Sequence, residues 1–416
     1  MDVYTNNEVN NTKYNFYDLE ENLKNVIEKA YLCYECNRCV NVCPLSHLNL
    51  FNPRLFISDL LFSPLKEAFN SHNIWDCLTC GQCTIYCPMT QVNIGVKIPE
   101  IILELRKKLK NDKNQSEKIM QCETHNDIFP LISKIMGNNP LNPNKLDFLK
   151  ENLLKTSISG KIAYFIGCLP LMDEIFYDSR FNYIDIPITI ISLLNESGIA
   201  PVVLNEKCCG HDVLWGLGDF ETFNKLAKYN TQLYRDAGVE TVIVGCAEGY
   251  RIWKYDYPKI VEDFDFKVFH FSEFFLKEKI LEKVRFPHIS NIKVTYHDSC
   301  RIGRLGGKLY DYPRMLIKQI PGIELIEMEN IKDDANCCGV STFTNCNEST
   351  HFLRQNRIIE ATNTGADYLI VPCPKCLTHF NCYINELSLN GKNSELRNKI
   401  EVVDLANFIG KLLMIV

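Results

Sequence analysis

The sequence predicts an α-helical N-terminal domain followed by two repeated α/β units with parallel sheets. Two identical cysteine quartets lie ahead of residue 88, flanked by stretches with apolar residues at helical spacing. After residue 159 β-rich runs alternate with helical ones. There the same order of strand, helix and cysteine occurs twice, offset by roughly 130 residues. A chain of 416 residues with 46% hydrophobic and 23% charged content can bury more than one core, which excludes a disordered or collagen-like protein. The formal charge of −6, with no strong basic patch, argues against nucleic acid as a partner. No apolar run reaches the roughly 18 residues of a membrane span, and the Asn-rich start lacks a signal peptide's apolar core. The expectation is a cytoplasmic chain with no transmembrane segment, reaching a membrane only through a partner subunit. Twenty cysteines in a reducing compartment are expected to be metal or redox ligands rather than disulfides.

The first element to justify is the pair of quartets. Cys33, Cys36, Cys39 and Cys43-Pro44, then Cys77, Cys80, Cys83 and Cys87-Pro88, each read C-x2-C-x2-C-x3-C-P. A tight turn with cysteine at every third position presents three thiolates to one face, and the fourth ligand comes from elsewhere. In two-cluster ferredoxins the last cysteine of each run crosses over. That pattern assigns Cys33, Cys36, Cys39 and Cys87 to one [4Fe–4S] cubane and Cys77, Cys80, Cys83 and Cys43 to the other. A pair of zinc sites is the alternative, but zinc motifs usually offer cysteines in twos. Pro53 to Ser71 and Pro99 to Leu109 carry the apolar spacing of helices, so residues 1–110 read as a helical ferredoxin domain. Arg106, Lys107, Lys108, Lys110 and Lys113 form a basic stretch, read as a solvated helix C-terminus in preference to a docking surface for an acidic partner. Residues 111–159 read as a linker with a short helix near Ile128 to Met136.

The repeat comes next, with 160–285 as its first copy and 286–416 as its second. A strand at Ile162 to Ile166 leads to Cys168, as one at Ile292 to Tyr296 leads to Cys300. Ala200 to Leu204 leads to Cys208-Cys209-Gly210, and Ile323 to Met328 leads to Cys337-Cys338-Gly339. Thr241 to Val244 runs into Cys246, and Tyr368 to Val371 into Cys373-Pro374-Lys375-Cys376. The tails Val268 to Phe274 and Val402 to Phe408 also agree. Parallel sheets gather the loops after their strands, so these cysteines converge although they are distant in sequence. Two adjacent cysteines face one metal only around a sharp turn, which Gly210 and Gly339 supply. Cys122, Cys346 and Cys382 fall outside every pattern and read as ordinary buried or partly exposed thiols.

These residues resemble the duplicated CCG domain of heterodisulfide reductase subunits B and D and of related glycolate, lactate and glycerol-3-phosphate oxidoreductase subunits. The second copy spells C-x36-CC-x34-C-x2-C from Cys300 to Cys376, and His297-Asp298-Ser299-Cys300-Arg301-Ile302-Gly303-Arg304 is similar to the family's HDPC-x-x-GR element. The N-terminal domain resembles the helical two-cluster domain of succinate dehydrogenase iron–sulfur subunits and of a further heterodisulfide reductase subunit. The resemblance implies a non-cubane [4Fe–4S] cluster on Cys300, Cys337, Cys338, Cys373 and Cys376. The first copy departs from it: Cys168, Cys208, Cys209 and Cys246 match, but Gly249 stands where the motif closes with cysteine. Four thiolates can hold an altered [4Fe–4S] cluster, and an empty first site is the other reading.

The resemblance implies an iron–sulfur oxidoreductase subunit that reduces the mixed disulfide of coenzyme M and coenzyme B, a reaction of methanogenesis. The alternative is an electron-relay subunit of a flavin-linked 2-hydroxy acid or glycerol-3-phosphate dehydrogenase, or of a thiol:fumarate reductase. Arg301, Arg304 and Lys375 beside the second ligand set are candidates to pair with a polyanionic substrate, and His297 to hydrogen-bond or deliver a proton. The other reading of the same residues is support of the cluster and its surroundings. His211 is a candidate ligand or neighbour of the first site. No G-x-G-x-x-G fingerprint stands in a strand-to-helix context, so electrons are expected to come from a partner, a flavoprotein or a membrane cytochrome b.

Overall fold

A computed structural model describes residues 19–63, 74–91, 95–111, 128–137, 144–177, 181–339, 348–389 and 399–416. In the N-terminal domain α1 (Leu19–Ala30) packs along α2 (Ile98–Asn111), burying Leu23, Ala30, Ile101, Ile102 and Leu105 with Phe56 and Leu60 of α3 (Pro53–Phe62). The start of α3 is dictated locally. Asn52 accepts from the Arg54 and Leu55 backbone N–H groups at 3.1 Å, and Pro53 occupies the first turn, where its missing N–H costs nothing. The two quartets fold alike. Each has a five-residue helix, Arg38–Val42 or Gln82–Tyr86, entered through a left-handed residue, Asn37 (φ 64°) or Gly81 (φ 81°), and the two helices pack on each other.

The repeat appears as two parallel sheets. The first has the order β1 (Ile162–Phe165), β2 (Thr241–Val244), β3 (Lys267–His270). The second has the order β5 (Ile323–Leu325), β4 (Ile292–Tyr296), β6 (Tyr368–Val371), β7 (Glu401–Asp404). One inner strand of each copy, β2 or β6, is a nearly continuous apolar run, as a sheet covered on both faces requires. Val202 pairs with Ala163 only as an isolated bridge, so the strand expected at Ala200 to Leu204 is reduced to one residue while β5 forms in the second copy. The last strand of each copy ends on a helix cap. His270 accepts from the Ser272 N–H and Asp404 from the Ala406 N–H, opening Phe271–Lys277 and Leu405–Leu412. The copies pack reciprocally: Asp185–Glu196 of the first lies on Leu405–Leu412 of the second, and Phe271–Lys277 of the first on Asp311–Lys318 of the second.

Two expectations are corrected. Two described stretches of the segment read as a linker pack on the first α/β unit: Ile128–Gly137 and Asp147–Glu151 are helices whose Ile132, Met136, Phe148 and Leu149 enter its core. Their apolar residues make a buried stripe, and the polar Asn, Lys and Pro content around them masks it. The basic stretch is not simply solvated either. Arg106 and Lys107 are 0% and 1% exposed, because this side of α2 faces the α/β units. Arg106 donates to Trp215 O (2.6 Å), Ile74 O (2.8 Å), Cys77 O (2.8 Å) and Trp75 O (3.2 Å), and Lys107 pairs with Glu104 at 2.7 Å. Lys113 lies outside the described residues.

Candidate metal centres

The quartets line two adjacent cavities. Cys33, Cys36, Cys39 and Cys87 surround one together with Cys83, and Cys43, Cys77, Cys80 and Cys83 surround the other. Each cavity thus includes three cysteines of one run and the last cysteine of the other, with Cys83 bordering both. Cys36 is exposed, whereas Cys77 and Cys80 are buried, so the first cavity faces solvent and the second faces the α/β units. Burial pushes the Cys39 and Cys77 thiols up to about 12. Binding a metal there displaces protons.

In the second α/β unit Cys300 follows β4 and Cys373 follows β6, while Cys337-Cys338 sits on a turn closed by Gly339 at φ 84°. The Gly339 N–H points at Cys337 Sγ (3.4 Å), and a Cβ at this position would stand 3.2 Å from Thr350 O. Gly210 repeats the geometry with φ 85° and its N–H 3.4 Å from Cys208 Sγ. Cys338 Sγ and Cys376 Sγ are 3.3 Å apart, Cys337 bonds Cys300 and Cys338, and Cys373 bonds Cys376. Cys373 precedes the helix Pro374–Leu389, whose N-terminal dipole favours thiolate. All five cysteines are buried and joined in a chain of contacts from Cys300 through Cys337, Cys338 and Cys376 to Cys373, a soft donor set that fits an iron–sulfur cluster.

This site touches the ferredoxin domain. Cys80 hydrogen-bonds Cys337, and that bond, with help from Arg304, brings the Cys80 thiol down to about 6 against the burial. Arg304 Nε donates to Cys80 O at 2.9 Å and its Nη1 to Ala335 O at 2.7 Å. Arg301 donates to Thr79 O (3.1 Å) and Thr79 Oγ1 (2.8 Å). Both guanidiniums therefore clasp the loop of the second quartet. Lys375 likewise has protein partners, Asp212 and, at 2.6 Å, Glu248 of the first unit. Burial disfavours the ammonium, and the two carboxylates outweigh it, holding it well above its ordinary range.

In the first unit Cys168, Cys208 and Cys209 are linked by hydrogen bonds, with Ser133 Oγ 3.2 Å from Cys208 Sγ. Cys246 hydrogen-bonds Cys373 of the second unit and also acts electrostatically on Cys209. Counting back three residues from Cys168 and from Cys300 aligns Phe165 with His297, so the first unit lacks both the closing cysteine and the histidine. The two replacements are neighbours: a Cβ on Gly249 would stand 3.0 Å from Val244 Cγ1 and 3.9 Å from Phe165 Cδ1. His211 Nδ1 lies 3.2 Å from Glu248 Oε2 and 3.5 Å from Asp212 Oδ1, forming a buried polar knot with Lys375 between the copies.

Sequence reasoning missed Ser133, Asp212, Glu248, Arg357 and His379. His379 Nδ1 donates to Cys338 O at 2.6 Å, and its place three residues after Cys376 on one helix is a signal that could have found it. Glu248 aligns with Lys375 in the two C-x-x-[CG] turns, so opposite charges at equivalent positions could also have been read. Cys382, partly buried, donates to Glu386 at 3.5 Å. Cys122 and Cys346 lie outside the described residues.

Residues 162–249 and 294–381 each match the cysteine-rich domain CCG, and residues 24–92 match a 4Fe-4S dicluster domain. The chain is thus an iron–sulfur protein of two CCG domains preceded by a dicluster ferredoxin domain. More particularly, it is similar to the D-type subunit of the dihydromethanophenazine:CoB–CoM heterodisulfide reductase of Methanosarcina mazei, 28% identical over 231 residues, 54% of this chain and 54% of the relative. An uncharacterized iron–sulfur protein of Methanococcus maripaludis is 27% identical over 408 residues, 94% of this chain and 75% of the relative. The EtfAB:quinone oxidoreductase of Syntrophomonas wolfei is 29% identical over 258 residues, 59% of this chain and 34% of the relative. The chain matches 54% to 61% of the length of the heterodisulfide reductase subunits. Among the described residues no helix is long and apolar enough to cross a membrane.

Proposed function

We propose that this chain is the subunit of an iron–sulfur oxidoreductase that reduces a disulfide, the coenzyme M–coenzyme B heterodisulfide or a related one, at the second CCG unit. The reading rests on one juxtaposition: Cys80 of the ferredoxin domain touches Cys337 of the complete five-cysteine set. Bound in these sites, iron–sulfur clusters supply single-electron steps. Two such electrons and two protons convert one disulfide into two thiols. The chain's own residues orient and enclose. Arg301 and Arg304 hold the donor loop against the acceptor set, and Arg106 fastens the same loop to Trp215. Electrons enter at the exposed Cys36 side from a partner subunit and pass through the buried quartet. The ligand assignments, including a non-cubane cluster on Cys300, Cys337, Cys338, Cys373 and Cys376 and a four-thiolate cluster on Cys168, Cys208, Cys209 and Cys246, are part of this proposal.

A second reading, a relay subunit without substrate chemistry, draws on the engagement of Arg301, Arg304 and Lys375 with protein partners rather than with a cavity. Low-temperature electron paramagnetic resonance of the oxidised, anaerobically purified chain separates the two. A new signal induced by coenzyme M or coenzyme B supports disulfide chemistry. Its absence, with iron analysis showing the second site filled, supports the relay. Cys338→Ala is expected to empty the second site and leave the two ferredoxin clusters; unchanged iron content overturns the ligand assignment.

A further inference from the structure

The histidine that distinguishes the second CCG unit from the first is held by an arginine from another helix. Arg357, 0% exposed on Glu348–Asn363, directs Nε at His297 Nδ1 across 3.1 Å. A guanidinium has hydrogens to donate and no lone pair to accept with, so His297 Nδ1 is the acceptor and the ring proton of the neutral imidazole lies on Nε2. The arginine is itself fixed, donating to Glu360 Oε2 (2.6 Å) and Asn330 O (2.9 Å), while Glu360 accepts from the Asn330 N–H at 2.6 Å. The imidazole is held on its other sides too. Its backbone N–H donates to Ile370 O at 2.9 Å, and the ring meets Phe380 edge to face with centroids 5.1 Å apart. The ring also approaches sulfur: His297 hydrogen-bonds Cys338, the ligand atoms of His297, Cys338 and Cys376 lie within 4.8 Å of one another, and with Nδ1 accepting from Arg357 the nitrogen left to donate is Nε2.

We infer that Arg357 is a positioning residue that locks His297 as an Nε2–H donor to the Cys338 sulfur, and that this N–H···S bond raises the reduction potential of the second cluster. A hydrogen bond to a ligating thiolate draws charge from the sulfur and stabilises the reduced cluster. The first unit has Phe165 at the equivalent position and has no such donor there. The duplication therefore contains its own comparison: one site with a donor, one with an aromatic ring in its place. Electrons arriving through Cys80 come to rest at the second unit, where the complete ligand set is. This deepens the function proposed above and rests on its assignment of a cluster to the second unit.

The test is a redox titration of the full cluster-loaded chain, followed by electron paramagnetic resonance of the second-site signal. His297→Phe, which copies the first unit, is expected to lower that midpoint potential. Arg357→Gln is expected to lower it in the same direction by releasing the imidazole, and Arg357→Lys, which keeps a donor, to recover part of the shift. In the His297→Phe background Arg357→Gln is expected to add nothing, since the residue acts only through the ring. An unchanged potential in His297→Phe overturns the inference, whichever Arg357 variants hold iron. So does an Arg357→Gln shift that is equally large with and without His297, which is the behaviour of a merely structural arginine. Iron missing from the second site of the unmodified chain overturns the cluster assignment itself, a failure distinct from an unshifted potential.

Discussion

Replacing Arg106 with alanine is expected to loosen the ferredoxin domain from the α/β units. Burial brings the guanidinium down to about 10, so keeping it charged at neutral pH costs on the order of 3 kcal/mol. Against this stand bonds of 2.6, 2.8 and 2.8 Å to Trp215 O, Ile74 O and Cys77 O. At about 1.5–3 kcal/mol for each bond from a charged donor, they contribute roughly 4–9 kcal/mol to the fold, of which the Trp215 bond alone, about 1.5–3 kcal/mol, spans from the ferredoxin domain to the α/β units. Truncation also strands the buried carbonyls that faced the arginine, so Arg106→Ala should cost about 3–5 kcal/mol. Arg106→Lys, with one compact charge in place of a planar fork, should fall between. The chain carries its own reporters. Trp75 lies under the guanidinium at 5.2 Å and Trp215 supplies an acceptor, while Trp253 sits in the first unit's core. Guanidinium chloride unfolding followed by tryptophan fluorescence should show an early transition in Arg106→Ala that the unmodified chain lacks. Coincident curves for the two proteins would refute the reasoning.

Asp256 accepts from Trp215 Nε1 at 3.0 Å and from Arg251 at 3.1 Å; burial opposes its charge, yet Arg251 and Lys259 hold its carboxyl well below the usual carboxylate range. A carboxyl with a depressed folded-state pKa stabilises the fold above the unfolded value of about 4 and loses that contribution as pH falls below it. Asp256→Asn should therefore flatten the acid-unfolding curve below about pH 4 and lower neutral-pH stability by about 3 kcal/mol, read by circular dichroism. Gly339→Ala forces a Cβ into left-handed backbone against Thr350 O and Leu353 Cβ, costing about 1–2 kcal/mol, and should reduce second-site iron in metal analysis. The same change at Gly365, φ 71° with open space, should leave iron content unaltered.

What could be read from the sequence was whatever local geometry repeats. Cysteine spacing, the Cys-Cys-Gly turns and the alternation of strand and helix are short-range properties, so both ferredoxin loops and the α/β duplication are legible, and Thr241–Val244 and Tyr368–Val371 form as strands at the expected bounds. The Gly249 departure was equally visible, because a repeat supplies its own reference. Long-range placement was not. Arg106 and Lys107 read as a solvated helix end because charge and helical position carry no sign of what packs alongside, and Arg301, Arg304 and Lys375 read equally as substrate contacts or as support of the cluster because their partners lie in other units. Thr79, Cys80, Asp212 and Glu248 became those partners only when the ferredoxin domain and the two copies were brought together. The sequence by itself determined which atoms can bind metal, since ligand chemistry belongs to the side chain. Only the tertiary structure decided which sites touch, which cations are already neutralised and which nitrogen of His297 holds the proton, since each depends on a partner far away in the chain.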